Sequence, residues 1–285
     1  MSDSGEMGGS PALDRSAERP AIGRNRLDDS SPIAAQPPVP PRPPRTAEAE
    51  PAETCLLRAM RAQTAEEREL YASRGLSRVD DDAELSALLI RQLYLVKLDR
   101  LEYEEALRLA EEMVALGELG DIARQDAARA AMGVGALDVA AGHLRIAARI
   151  CPPDRRAFHL ATLGALLRFG GRPREAIEAF GKASRWATKD RILYRAQLVL
   201  CEAAAQLAPS VDMGELRAHL ESSEEQKGYK LWVLGELCAL LGDHQASRRY
   251  LTSFLRRTQA ASPAKNLALR GEIARAEAIL QQISA

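Results

Sequence analysis

Aromatic side chains are scarce in this sequence. Phe, Trp and Tyr make up 4% of its 285 residues, although hydrophobic residues reach 46%. A core built under that restriction must come mainly from Ala and Leu. Those are strong helix formers, and the best β-formers are rare here, so the composition predicts an all-α protein. Clustered cysteine is also missing. Cys55, Cys151, Cys201 and Cys238 stand far apart, with no Cys-x-x-Cys and no Cys/His cluster. A zinc site or a dithiol redox pair therefore has no support, and no metal or cofactor is expected. Isolated thiols in apolar helical stretches read as small buried hydrophobes of a reducing compartment. No charge excess exists either: 39 basic and 40 acidic residues leave a net charge of −1. No global field then draws nucleic acid or an anionic membrane. No apolar run approaches the roughly 20 residues of a membrane span. The opening MSDSGEMGGS lacks the basic and apolar regions of a secretory signal. The expectation is a soluble cytoplasmic protein.

Texture changes sharply near residue 51. Residues 1–51 hold ten of the fifteen prolines and no aromatic; the first is Tyr71. Such a segment cannot bury enough apolar area to offset its ordering entropy, so it is predicted to be a disordered tail. Its PPVPPRPPR stretch (37–45) favours polyproline II and contains two Pro-x-x-Pro-x-Arg matches, Pro37 to Arg42 and Pro40 to Arg45. It reads either as a stiff spacer or as a docking motif for a proline-reading domain.

From Ala52 onward, helical periodicity is broken every 10–18 residues. The breaks are chemically legible. Thr64 and the Asp80–Asp82 run precede helices as N-caps, Pro152-Pro153 ends one helix with Asp154 placed to cap the next, and Ser262-Pro263 starts the last. Helices are predicted over 52–62, 65–75, 83–98, 103–116, 121–133, 137–150, 155–169, 173–186, 190–207, 212–223, 227–241, 243–257 and 264–283. Short loops make sequential neighbours antiparallel hairpins.

The hairpins repeat. EEALRLAEEM, DVAAGHLRIAA, REAIEAFGKAS and HQASRRYLTSF align on Ala106, Ala140, Ala176 and Ala246, spaced 34, 36 and 70 residues apart. The clearest copy is LGALLRFGGRPREAIEAFGKA (163–183), with Leu163-Gly164, then Ala176, Phe180 and Ala183. Gly164 and Ala176 are expected to face each other across the hairpin, with Phe180 filling the space above. Gly170-Gly171 then releases one helix and Pro173 starts the next. This unit resembles the tetratricopeptide repeat, with Leu160 at the tryptophan position and Leu167 at the tyrosine position. Repeats are placed at about 87–120, 121–154, 157–190, 191–226 and 228–258, after a divergent hairpin at 52–75 and before a capping helix at 264–283. The 121–154 unit keeps Gly135, Ala140, Leu144 and Ala147, and 87–120 keeps Tyr103 and Ala106. The 228–258 unit keeps Leu234-Gly235 and Gly242, with a turn one residue short before Ala246 and Tyr250. The 191–226 unit keeps only the helical pattern.

Catalytic motifs are absent. FGGRPRE follows an amphipathic helix instead of a strand and lacks the phosphate-loop spacing, as does Gly133-x-Gly135. His143, His159, His219 and His244 fall in four different units and form no ligand pair. The chain is expected not to be an enzyme. The tetratricopeptide resemblance implies a right-handed solenoid whose first helices line a concave groove. On those helices the groove-facing candidates are Gln125, Arg129, Phe158, Arg168, Arg195, Tyr229 and Trp232. Arg129, Arg168 and Arg195 lean towards the groove, where they would suit an acidic peptide or a C-terminal carboxylate. Phe158 and Trp232 lean towards packing between repeats. The implied role is a non-catalytic adaptor for a peptide or partner domain. The alternative is an obligate subunit of an assembly or homo-oligomer.

Overall fold

The computed structural model describes residues 50–222 and 228–284, and every regular element among them is an α-helix. The expected tail, with its 37–45 motif, lies outside the described residues except for its last two. α1 (Ala52–Arg61) and α2 (Ala65–Leu76) form the first hairpin. α3 (Ala83–Asp99) pairs with α4 (Tyr103–Leu116), α5 (Gly120–Gly133) with α6 (Leu137–Ile150), and α7 (Pro153–Phe169) with α8 (Pro173–Trp186). α9 (Arg191–Ala204), α10 (Met213–Ser222), α11 (Gly228–Leu240) and α12 (His244–Gln259) continue the array, which α13 (Pro263–Ala268) and α14 (Arg270–Gln282) close. Each helix from α1 to α11 packs on the next.

Local chemistry explains several helix starts. Thr64 Oγ1 accepts from the Glu67 amide at 3.1 Å, and Asp82 Oδ1 accepts from the Leu85 amide at 2.8 Å. Asp154 does not cap α7. Pro152 occupies the cap position and Pro153 is already the first helical residue, which leaves Asp154 within the first turn. There its charge still opposes the helix dipole.

One turn recurs five times and sets the period. Leu101, Gly135, Gly171, Gln206 and Gly242 all adopt left-handed backbone, with φ between 59° and 79°. In each case the following amide donates to the carbonyl five residues earlier, at 2.8–2.9 Å: Glu102 to Lys97, Ala136 to Ala131, Arg172 to Leu167, Leu207 to Glu202 and Asp243 to Cys238. The turns lie 34, 36, 35 and 36 residues apart. Two of them use Leu and Gln where Gly is favoured, which hid them from a search for glycine. Of the Gly170-Gly171 pair, only Gly171 needs positive φ.

The turns also correct the side-chain register. Gly164 lies closest to Phe180: a Cβ there would sit 2.7 Å from the Phe180 ring. Gly235 lies in the same way against Leu251. Counting from the turns, Ser247 and Leu251 therefore occupy the places of Ala176 and Phe180, in contrast to the expected Ala246 and Tyr250. Ser247 and Leu251 are both fully buried, and no residue is missing from that turn. In the first repeat the sizes are exchanged, with Tyr94 at the glycine place and Ala110 at the phenylalanine place. Both are fully buried in one cluster, so the volume is conserved while the motif is lost. After Gln206 the second helix starts late, at Met213, and buries only Leu216 and Leu220. That delay accounts for the missing signature over 191–226.

α11 carries the run LWVLGELCAL and is buried from Lys230 to Cys238, because α9, α10, α12 and α14 all pack on it. The closing segment departs from expectation. Instead of one capping helix over 264–283, it breaks at Leu269 (φ −110°, ψ 11°) into two. α13 packs on α3 and α5, and α14 on α7, α11 and α12. The pair therefore runs back over the first helices of several repeats.

Candidate functional site

The inner face is built by first helices of the hairpins, and the chain's own C-terminal helices lie on it. Leu267 of α13 is buried in the cluster that contains Ile90, Tyr94 and Ala127. A side chain at Gly271 would run into the Phe169 ring of α7. Tyr229 Oη of α11 donates to Glu272 Oε1 at 3.0 Å and accepts from Gln197 Nε2 of α9 at 2.9 Å. Arg275 Nε donates to Glu236 Oε1 at 3.1 Å, on the oxygen that also accepts from Arg168 Nη2 at 2.7 Å. Ala276 and Ile279 join the cluster around Trp232, and Arg248 Nη2 holds the Ile283 carbonyl at 3.0 Å at the far end.

Arg168, Tyr229 and Trp232, expected on the groove, converge here, but in roles set by packing. The Arg168 side chain is 6% exposed and is spent on Glu236, itself 2% exposed, while stacking on Phe169 and Trp232. It is not a free cation awaiting an acidic ligand. Burial works against its charge, but Glu236, Cys201 and Tyr229 together outweigh burial and leave its pKa above the ordinary value. Trp232 is fully buried. Gln125 and Arg129 line a small cavity of about 50 Å³ beneath Ala268 and Glu272. Arg129 also pairs with the buried Asp126 at 3.6 Å. Phe158 and Arg195 are not joined to this group. Phe158 is exposed, against the packing role it leaned towards, and Arg195 is exposed on α9. Phe158 shares a helical stripe with Thr162, Ala165 and Phe169, so it extends the inner face beyond the part that α13–α14 covers.

Three residues that sequence reasoning passed over are central: Phe169, Glu236 and Glu272. Glu236 carried a signal, since it is the lone charge within Leu231–Leu241 and a buried charge requires a partner. Burial raises the Glu272 carboxyl to about 7, against the opposing pull of its backbone contact, Tyr229 and Arg168; Glu236 pushes it further up.

A second concavity opens on the other side of α7, between α6 and α8, with a volume of about 550 Å³. Its floor includes Leu160 and Leu167, the smaller residues at the expected tryptophan and tyrosine positions. Arg156 stacks on the half-exposed Trp186 ring at 4.3 Å on its rim.

The cysteines and two of the histidines are held in packing contacts. All four cysteines are free and buried, and burial pushes Cys201 to about 12 and Cys238 to about 11. His143 bridges Glu111 and Arg124, and His159 bridges Asp121 and Gln125. No cluster suited to a metal ion occurs among the described residues. No helix among them is long and apolar enough to cross a membrane.

No protein-family model matches the sequence, and no curated protein matches it either. Among solved structures, that of PilF from Pseudomonas aeruginosa superposes with a TM-score of 0.52. The match covers 77% of this chain and 97% of that one, at 13% identity. The fold is a tetratricopeptide-like helical solenoid. That likeness establishes architecture, and function has to come from the site.

Proposed function

We propose that this chain is a non-catalytic interaction scaffold that engages a peptide or partner domain along the inner face of its repeats. One observation carries the reading: that face already holds a helix, through Phe169 of α7 and Tyr229 and Glu236 of α11. Repeat arrays offer extended surfaces because each unit contacts only its neighbours and leaves one face over. Four buried free thiols favour a reducing compartment, the cytoplasm. The partner is a protein, and nucleic acid is not expected at a net charge of −1.

The test compares wild type with a Phe158→Asp/Arg195→Glu variant as bait in affinity purification from the native cell. Both sites are exposed, so the fold should survive. Loss of a specific co-purifying protein from the folded variant supports the reading. Unchanged recovery removes the uncovered part of that face from it and restricts the reading to the part beneath α13–α14. A second reading, an obligate subunit of an assembly, draws on the exposed apolar side chains Ile150, Phe158 and Trp186. Light scattering separates the two, because a scaffold is a stable monomer on its own.

A further inference from the structure

The helix that lies on the inner face identifies what else would fit there. Gly271, Glu272, Arg275, Ala276 and Ile279 fall on one face of α14, at offsets of 1, 4, 5 and 8 from the glycine. Each meets a dedicated feature. The glycine lies against Phe169, the acid meets Tyr229, and the base meets Glu236, while the last two enter the core beside Trp232.

The fit is incomplete. Arg168 Nη1, Glu236 Oε2 and Asn266 Oδ1 are buried without a protein partner, which is a costly state for polar atoms. Two slots also remain open beside α14. One of about 330 Å³ is lined by Arg168, Leu200, Glu236 and Arg275, and one of about 230 Å³ by Leu240, His244 and Ile283. Only residues 260–262 join α13 to α12. The tether raises the effective concentration of the resident helix and so offsets its imperfect contacts.

We propose that the inner face is a reversible receptor for an amphipathic helix of a partner protein carrying the register Gly-Glu-x-x-Arg-Ala-x-x-Ile, and that α13–α14 is the resident occupant such a helix displaces. This rests on the scaffold reading above and names its partner class. A helix that meets the same features and also satisfies the unpaired atoms of Arg168 and Glu236 displaces the tethered one. A helix with the two charges exchanged would place like charges together and be rejected.

The probe is a fluorescein-labelled synthetic helix that keeps only that register, with Ala, Gln and Lys elsewhere. Its anisotropy is titrated with full-length wild type and full-length Gly271→Leu, whose new side chain meets Phe169 and loosens the resident helix. The variant is expected to bind the probe at least about tenfold more tightly than wild type. An unlabelled 263–284 peptide should compete, and the charge-exchanged probe should not bind. No gain in binding by a variant of unchanged helicity and monomeric mass overturns the proposal. A variant that elutes as a dimer also overturns it, because the occupant is then a second copy of this chain. Should Gly271→Leu not fold, wild type carrying a protease site within 260–262 is cleaved and challenged with the probe. Exchange of α13–α14 for the probe supports the proposal, and failure to exchange overturns it. A cellular partner recovered equally by wild type and by Gly271→Leu, and not competed by the peptide, overturns this proposal while the scaffold reading stands.

Discussion

Replacing Arg168 with Ala separates two roles that look alike in sequence. If the side chain served only a ligand, its removal would leave the fold untouched. In the structure it lies 2.7 Å from Glu236, with both side chains buried. Two charges about 4 Å apart at an effective dielectric near 20 attract by about 4 kcal/mol. Removing one partner of a buried pair costs about 3–5 kcal/mol, because the other charge is stranded. Arg275 remains 3.1 Å from the same carboxylate oxygen, but it is 41% exposed and screened by water. The expected loss therefore sits near the low end, at about 3 kcal/mol. For a domain of this size that corresponds to a fall of roughly 6–12 °C in melting temperature. Thermal and urea unfolding followed by circular dichroism measure it. The double variant Arg168→Met/Glu236→Leu should recover most of the loss, since a hydrophobic replacement of a buried pair is often neutral. An Arg168→Ala protein that melts with wild type would refute the reasoning and return this residue to the surface. It also follows that lost partner binding in Arg168→Ala reports on folding before it reports on recognition.

Other expectations follow from named contacts. Gly164→Ala should destabilise by about 1–3 kcal/mol, since the added methyl meets the Phe180 ring, and Phe180→Leu in the same chain should relieve part of that cost. Leu101→Gly should stabilise by about 1 kcal/mol in urea unfolding, because Leu101 is exposed and held at φ 63°. Closure of α14 should depend on pH through Glu272, whose carboxyl lies at about 7 when closed and near 4.3 in water. A raised pKa means closure is at full strength below about 4.3 and weakens as pH rises through 7. Trypsin cleavage after Lys265 or Arg270 should then accelerate between about pH 5 and 7 and level off above that, and Glu272→Gln should remove that acceleration.

Helix content, the near-35-residue period and the pairing of neighbours could be read from the chain, since Ala-rich periodicity and short loops leave few alternatives. Thr64 and Asp82 announced their helices through side chains that satisfy orphan amides. Where reading failed, a non-local fact had replaced a local one. Leu101 and Gln206 take a glycine's conformation, which no propensity predicts, so two repeats lost their markers. Tyr94 and Ala110 exchange volumes across a hairpin, which conserves packing but not pattern. Arg168 looked like a groove cation because Glu236 lies 68 residues away and its position emerges only from the superhelix. The return of α13–α14 over the inner face was invisible for the same reason. Its contacts reach from α3 to α12, and Gly271 reads as an ordinary helix weakness until the Phe169 ring is seen against it.

Amide hydrogen exchange across α13–α14 in the intact wild-type chain tests the central claim most directly. A resident helix on a receptor face should open as a unit, with a free energy a few kcal/mol below that of the repeats beneath it. The account predicts that residues 263–284 exchange together and well ahead of α7 and α8. Exchange of α13–α14 only in step with α7 and α8 would make the closing helices a permanent part of the core and contradict it.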